Sequence, residues 1–190
     1  LSGYVPCPEA GTGKGGFGKV VFMRDTRTNH LVCVKGIEQR RHKEGDQSEN
    51  RRNHEQEHEV RALRFCQHDA IVKVLRVFSG KVDVPDLAQY SSFLMTEAGL
   101  CNMTAFLRQI RDPNEVVLYA VHFVTTINAA VRFLHKELRV HHGDIKPDNI
   151  FIFPHACLHC PPYDAKLGDF GTARFVGNLT EFRQHAYTAP

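Results

Sequence analysis

The chain has 190 residues, of which 42% are hydrophobic and 24% are charged, a composition typical of globular proteins and not of disordered ones. Lys and Arg number 24 against 21 Asp and Glu. This excess is too small to favour nucleic acid as a partner, because backbone binding needs a clustered basic surface. The six cysteines are unevenly spaced, which favours reduced thiols and an intracellular location over a disulfide framework.

The first half of the chain is predicted to be rich in β-strands. Runs of β-branched residues at 19–23 and 31–34 predict two strands joined by a polar hairpin connection, and shorter strand-like runs follow at 71–78 and 93–96. Charged and amide residues dominate 38–58, which predicts a solvated loop leading into an exposed helix.

Beyond Gly99 the apolar pattern becomes helical. Residues 103–110 predict a short amphipathic helix, and Asp112 with the following Pro113 predicts the start of a longer one. The apolar run Val116–Leu134 is interrupted by His122, Asn128 and Arg132, so we expect a buried helix and no membrane-spanning segment.

The order of these elements predicts an α+β protein with two lobes. Two further short strands are expected at 150–153 and 165–167. Strands dominate the first lobe, residues 1–97, and helices dominate the second, residues 98–190, so the hinge is expected near residues 97–99.

A glycine-rich turn precedes the predicted strand at 19–23, and residues 11–37 as a whole predict the order strand, glycine turn, strand, turn, strand. Gly13, Gly15, Gly18 and Val20 have the spacing Gly-x-Gly-x-x-Gly-x-Val, and glycines allow a backbone to approach phosphate groups closely. Similar patterns occur in dinucleotide-binding turns and Walker A loops. Here a strand follows instead of a helix, and Val20 stands where a Walker A loop needs a hydroxyl group, so both alternatives fail.

Three further motifs follow in order. Lys35 ends the strand Val32–Lys35, His-Gly-Asp-Ile-Lys-Pro-Asp-Asn spans residues 142–149, and Asp-Phe-Gly spans residues 169–171. With the glycine-rich turn and the final Thr-Ala-Pro, they resemble the motifs of the eukaryotic protein kinase family over essentially the whole chain. The resemblance implies a two-lobed protein kinase-like fold. It also implies transfer of the γ-phosphoryl group of ATP, with Mg²⁺, to a protein hydroxyl.

The resemblance assigns catalytic roles to four residues. Asp144 corresponds to the base that orients the substrate hydroxyl, and Lys146 to the residue that neutralises the γ-phosphate and is typical of serine/threonine kinases. Lys35 corresponds to the lysine that binds the α- and β-phosphates, and Glu59 is the preferred helical partner of this lysine. The competing candidates for that partner are Glu55 and Glu57.

The resemblance also implies a metal and nucleotide site. Asn149 and Asp169 correspond to the magnesium ligands, and their hard oxygen donors suit this ion. Thr96 corresponds to the gatekeeper, with Met95 as the alternative because the register is uncertain by one residue, and Asn102 is a candidate ribose contact. The predicted nucleotide-binding residues are Gly13, Lys14, Gly15, Gly16, Phe17, Gly18, Val20, Cys33, Lys35, Thr96, Glu97, Gly99 and Phe151.

The chain departs from the family pattern at several positions. Gly143 stands where many kinases have an arginine that pairs with a phosphorylated residue, although Arg174 remains available to contact a phosphate. Thr180 resembles the usual phosphorylation site, and without the arginine we expect activity to depend little on its phosphorylation. Gln184 replaces a threonine near the substrate.

Two alternative functions remain open at this stage. The His-Gly-Asp sequence at residues 142–144 also occurs in relatives that phosphorylate small molecules, such as aminoglycoside and choline kinases. A non-catalytic, nucleotide-binding module is the other alternative. Lys146 and the Asp-Phe-Gly motif at 169–171 favour a protein kinase over the first, and the complete set of catalytic residues opposes the second.

Two expectations concern the later part of the chain. His155, Cys157, His159 and Cys160 form either a zinc site or, as we favour, part of a proline-containing surface loop. The family pattern continues beyond Pro190, so we expect the chain to be a fragment. Its long helix would then have uncovered apolar faces, and the second lobe would be poorly soluble or loosely packed.

Overall fold

The structure is a computed structural model, and it describes residues 1–10, 12–15, 18–37, 66–155 and 161–176. The described residues form two compact units. The first contains the residues up to Ile37 together with Val74–Ala98. The second contains residues 66–73 together with those from Gly99 onward.

The first unit is an antiparallel sheet. Within the described residues its strands are β1 (Tyr4–Pro6), β2 (Thr12–Gly15), β3 (Gly18–Asp25), β4 (Leu31–Ile37), β5 (Val74–Ser79) and β6 (Ser92–Glu97). They are hydrogen-bonded in the order β1-β3-β4-β6-β5, and β2 also pairs with β3. The β3–β4 hairpin places the β-branched runs of both strands opposite each other, which is the pairing that their composition predicts.

The two faces of this sheet differ because side chains alternate along each strand. One face is the core, to which Val21 and Met23 on β3 and Val34 on β4 contribute fully buried side chains. Lys35 lies on the other face. The residues that cover the core face come from the connection between β5 and β6, and they are Val84, Leu87 and Tyr90.

The second unit contains the helices. Its described elements are β7 (Cys101–Asn102), α1 (Met103–Leu107), α2 (Pro113–Lys136), β8 (Val140–His141), β9 (Ile150–Pro154), β10 (Tyr163–Leu167) and β11 (Arg174–Phe175). The strands form a three-stranded sheet, in the order β10-β9-β7, and a separate β11-β8 pair.

Helix α2 begins where the sequence predicts. The Asp112 side chain accepts a hydrogen bond from the Asn114 backbone N–H at 2.8 Å, and Pro113 occupies the first turn, a position where its missing N–H carries no penalty. The buried residues of α2 recur every three or four positions, as expected for one face of a helix. They are Tyr119, Phe123, Ile127, Ala130 and Leu134.

The opposite face of α2 carries exposed apolar side chains. Val117, Val121 and Val124 are 63%, 64% and 68% exposed, and 22% of the most apolar 18-residue window of the helix is buried. By length and composition alone α2 would pass as a membrane span, but core helices of soluble proteins pass the same test. The prediction of a buried helix therefore holds for one face only.

Residues 66–73 pack within the second unit although they precede the predicted hinge. Ile71 forms a parallel bridge with Leu167 at the end of β10, and the N–H of Val72 donates to the carbonyl of Leu167 at 2.9 Å. The His68 ring lies 5.1 Å from the Phe133 ring of α2. These contacts come from residues far apart in the sequence, so the local pattern does not predict them.

Candidate active site

His142 anchors the segment that connects β8 to β9. Its side chain is 1% exposed, and the Asp144 N–H donates to its Nδ1 at 3.3 Å while its Nε2 lies 3.0 Å from the carbonyl oxygen of Gly168. Because Nδ1 accepts a hydrogen bond and a carbonyl oxygen can only accept, the proton must be on Nε2. The imidazole is therefore the neutral Nε2–H tautomer, and its ring packs 4.7 Å from that of Phe170.

Burial keeps His142 neutral. Loss of water around the ring lowers the pKa of His142 below its ordinary value, and this outweighs the Gly168 carbonyl and the nearby charges of Asp169 and Asp144, which favour the protonated form. His142 therefore packs in the core and helps to fix the backbone at Asp144.

The carboxylate of Asp144 is held by two donors. Lys146 Nζ and Asn149 Nδ2 donate to its Oδ2 at 2.7 and 2.9 Å, and Asn149 Nδ2 also lies 2.8 Å from the Asp144 carbonyl oxygen. Both side-chain bonds go to Oδ2, so they leave Oδ1 to other partners. The Lys146 hydrogen bond is the main cause that lowers the pKa of Asp144, and in return the pKa of Lys146 is raised.

Asn149 and Asp169 are connected through the backbone. The carbonyl of Asn149 accepts a hydrogen bond from the N–H of Gly168 at 2.9 Å. Because Asp169 is the next residue after Gly168, this hydrogen bond brings the backbones of Asn149 and Asp169 close together. Asp169 has a left-handed backbone conformation with φ 57°. Such outliers are held in place by their surroundings and cluster at functional sites. Its negative charge favours the protonated forms of both Lys146 and His142.

Gly143 has a backbone that disfavours any side chain. Its φ is +81°, and a Cβ atom there would lie 2.9 Å from the carbonyl oxygen of Thr172. The Thr172 hydroxyl in turn donates to the carbonyl of His142 at 2.9 Å. Glycine is thus the residue that this close contact between the two segments requires. The contact gives a local structural reason why position 143 is a glycine and not the arginine of many kinases.

The first unit carries the other predicted residues on one face of its sheet. Val20 lies directly opposite Lys35, and Cys33 lies opposite Thr96, so these four side chains share a face. Met95 is 1% exposed and belongs to the core on the opposite face. The register therefore puts Thr96, and not Met95, on the face that carries Lys35, which favours Thr96 as the gatekeeper.

Cys33 is not a reactive thiol in this position. Burial raises the pKa of its side chain to about 11, and the Thr96 hydrogen bond and the charge of Lys35 offset this only in part. The thiol form therefore dominates at physiological pH, and nucleophilic attack requires the thiolate.

The glycine-rich turn connects β2 to β3. Gly13, Lys14 and Gly15 lie in β2, and Gly15 is paired with Gly18 at the start of β3. A Cβ atom on Gly18, whose φ is +151°, would lie 2.0 Å from the carbonyl oxygen of Gly36. No larger residue fits there.

Gly99 and Phe151 meet in the second unit. A Cβ atom on Gly99 would lie 3.1 Å from Cβ of Phe151, and the N–H of Leu100 donates to the carbonyl of Ile152 at 2.8 Å. Glu97 ends β6 in the first unit. The oxygen of the Asn102 side chain caps α1 by accepting from the Ala105 N–H at 2.8 Å, so its ribose contact stays a prediction.

Several predicted residues lie outside the described part of the chain. They are Gly16, Phe17, Glu59, Cys157, His159, Cys160, Thr180 and Gln184. Two residues near the glycine-rich turn were missed by sequence reasoning, because they lie about 70 positions further along. Tyr90 Oη accepts the backbone N–H of Lys19, and Asp86 pairs with the Lys19 ammonium group.

Comparison with known proteins identifies the family. The family model described as protein kinase domain matches residues 9–190. The chain belongs to the protein kinase family. This confirms the resemblance on which the sequence analysis relied, and the α+β fold class with it.

Individual protein kinases are similar at low identity. Serine/threonine-protein kinase crk1 of Schizosaccharomyces pombe is 24% identical over 95% of the chain and 47% of its own length. Mitogen-activated protein kinase 3 of Arabidopsis thaliana is 26% identical over 85% and 39%. Serine/threonine-protein kinase ATG1 of Debaryomyces hansenii is 28% identical over 87% and 19%. The chain therefore spans less than half the length of these relatives.

Proposed function

We propose that this domain transfers the γ-phosphoryl group of ATP to serine or threonine hydroxyls of a protein. The observation that carries the proposal is the Asp144 carboxylate, which Lys146 and Asn149 fix through Oδ2. Phosphoryl transfer depends mostly on positioning and charge neutralisation. A carboxylate held at one oxygen leaves the other to orient a substrate hydroxyl.

The charge state of Asp144 suits this role. Because its pKa is lowered, the group is ionised throughout the physiological pH range and accepts a hydrogen bond from the substrate hydroxyl. A weak base of this kind aligns the nucleophile and receives its proton late, as the hydroxyl oxygen forms a bond to the γ-phosphorus and the bond from that phosphorus to the β–γ bridging oxygen breaks, with ADP as the leaving group. Lys146 adds a positive charge beside the transferred group, and it also suggests the serine/threonine type.

Mg²⁺ fits the oxygen donors of Asn149 and Asp169. Asn149 uses its Nδ2 toward Asp144, so its amide oxygen points the other way and is the atom for a metal. The Asp169 carboxylate supplies a hard, charged ligand of the kind Mg²⁺ prefers. The bound ion would neutralise charge on the phosphates. In this proposal both residues hold the ion, and neither takes part in proton transfer.

The nucleotide roles fall to the first unit and to Phe151. Lys35, with Glu59 as its partner, would bind the α- and β-phosphates, and the glycine-rich turn would donate backbone N–H groups to them. Val20, Cys33 and Phe151 supply apolar surface for the base. Strand register supports Thr96 as the gatekeeper. Phosphorylation of Thr180 is proposed to matter little, since Gly143 replaces the arginine that would read it.

Transfer of labelled γ-phosphate from ATP to a mixed protein substrate tests the proposal. Asp144→Asn should lose at least about 100-fold in turnover, because general acid–base and orienting groups contribute on that scale. Asp148→Asn is the matched control, since it removes a carboxylate in the same segment that makes no hydrogen bond to Asp144. Nucleotide binding without transfer to protein would overturn the proposal, and transfer to small alcohols alone would favour a small-molecule kinase.

A further inference from the structure

The connection between β5 and β6, residues 80–91, is a folded segment of the first unit. Its ends are joined by a hydrogen bond from the Gly80 N–H to the Ser91 carbonyl at 2.9 Å. Inside it, the N–H of Leu87 donates to the carbonyl of Val84 at 2.9 Å, and the N–H of Tyr90 donates to the carbonyl of Leu87 at 3.0 Å. The segment therefore has a defined backbone of its own.

Three side chains fix this β5–β6 segment to the sheet. Leu87 is 0% exposed, and Val84 and Tyr90 are buried with it among the core residues of β3, β4 and β6. Burial of these apolar side chains away from water stabilises the packed position of the segment. The segment thus covers the face of the sheet that lies opposite Lys35.

From that face the segment reaches the base of the glycine-rich turn. The backbone N–H of Lys19 donates to Tyr90 Oη at 3.2 Å, and the Lys19 ammonium group pairs with Asp86. Lys19 follows Gly18 directly, and the paired residues of β3 and β4 begin only at the next position, with Val20 opposite Lys35. Tyr90 therefore accepts the hydrogen bond of the Lys19 N–H at the last position of β3 before its pairing with β4 begins.

The Tyr90 ring also fills the space above a glycine of β4. A Cβ atom on Gly36 would lie 2.4 Å from the ring, and the carbonyl oxygen of Gly36 lies where a Cβ atom on Gly18 would have to be, at 2.0 Å. The Tyr90 ring thus packs against Gly36, and the carbonyl group of Gly36 packs against Gly18. Gly36 therefore has close neighbours on two sides, the ring and the start of β3, in a tightly packed region.

We propose that the β5–β6 segment positions the start of β3, at the base of the glycine-rich turn, with Tyr90 and Asp86 as positioning residues that act through Lys19. The consequence for ATP rests on the proposed function, because the turn is then the phosphate-binding element. Backbone N–H groups that are ordered before the nucleotide arrives lose less freedom on binding. Tyr90 thus supports ATP binding without touching ATP.

Tyr90→Phe tests the hydrogen bond and keeps the ring. We expect faster hydrogen exchange at the Lys19 amide, a rise of about three- to tenfold in KM for ATP, as loss of one hydrogen bond implies, and little change in kcat. Tyr4→Phe is the control, because Tyr4 packs against the same core. A purely structural role would instead lower the melting temperature and leave KM unchanged. Unchanged exchange at Lys19 overturns the proposal.

A second pair of variants tests the packing. Gly36→Ala should weaken nucleotide binding, because its methyl group displaces the Tyr90 ring. In the Tyr90→Leu background the same change should have a much smaller effect, so the two effects should not add. Additive effects would overturn the packing argument. If the unaltered protein binds no nucleotide, the proposed function fails, whereas the positioning role is still decided by hydrogen exchange at Lys19.

Discussion

At the scale of single residues, two left-handed backbone positions border the Asp144 site. Asp169 tolerates this conformation because its short polar side chain can bond locally, whereas Gly143 adopts it with no Cβ at all. For Gly143 the conformation comes with a close contact to the Thr172 carbonyl. A side chain at this position would therefore have two separate costs, one from the backbone torsion and one from the contact.

These two costs can be separated with a second glycine. Gly3 has nearly the same torsion, φ +85°, but no atom within 4 Å of its Cβ position. Gly3→Ala should cost about 1–2 kcal/mol from conformation alone, and Gly143→Ala should cost clearly more. Urea unfolding of both variants measures the difference. Equal losses would mean that the Thr172 contact relaxes without cost.

His142 makes stability depend on pH. Its pKa is lowered from the ordinary 6.5, so below that pH the unfolded chain binds a proton that the folded chain does not. The stability from neutral His142 is complete above pH 6.5 and is lost as the pH falls toward its folded-state pKa. We expect the free energy of unfolding to drop more between about pH 7.5 and 5.5 in the unaltered chain than in His142→Gln. Parallel drops would show that other groups cause the dependence.

At the scale of elements, the sequence predicts those strands and helices whose pattern is local. The runs at 19–23 and 31–34 lie in β3 and β4, and the capped start of α2 is found at Pro113. Strand β1 and the β5–β6 segment were not predicted. Both depend on distant partners, since Tyr4 pairs with Asp25 and the segment packs against core residues of β3, β4 and β6.

Helix α2 has two apolar faces with opposite roles. Val124 is 68% exposed, and Ile127, one turn further on, is 7% exposed. Ile127→Ala should cost about 2–5 kcal/mol, because it opens a cavity in the core. Val124→Ala should change stability by no more than about 0.5 kcal/mol, because it removes only exposed surface. Thermal unfolding of both variants of the 190-residue chain checks this, and a large loss at Val124 would mean that its face is covered.

At the scale of the whole molecule, the predicted site residues divide between the two units. The first carries Lys35 and Thr96, and the second carries Asp144, Asn149 and Asp169. The closeness of Lys146 to Asp144 follows from the motif alone, because two positions separate them. The hydrogen bond from the Gly168 N–H to the Asn149 carbonyl does not, because it joins the two ends of the β9–β10 hairpin; the resemblance only assigns Asn149 and Asp169 to one magnesium site.

Nucleotide binding should stabilise the folded protein through two separable contributions, one from ATP and one from Mg²⁺. Saturating ATP with Mg²⁺ should raise the melting temperature by several degrees, since ligand at about 100 times Kd adds about 2.7 kcal/mol. Asp169→Asn should remove the part of the shift that Mg²⁺ adds, and Lys35→Met should reduce the shift with ATP alone. Differential scanning fluorimetry with and without Mg²⁺ measures both. Equal behaviour of the two variants would contradict the division of roles.

The stacking of Tyr90 on Gly36 limits how the two positions can vary through evolution. Their side-chain volumes share one space, so a mutation that adds a methyl group at position 36 is tolerated only after position 90 has become smaller. The order of the two mutations therefore matters, and one of the two routes passes through a poorly folded intermediate. Relatives that share the β5–β6 segment should carry either a glycine at the position of Gly36 with a large ring at that of Tyr90, or a larger residue with a small partner.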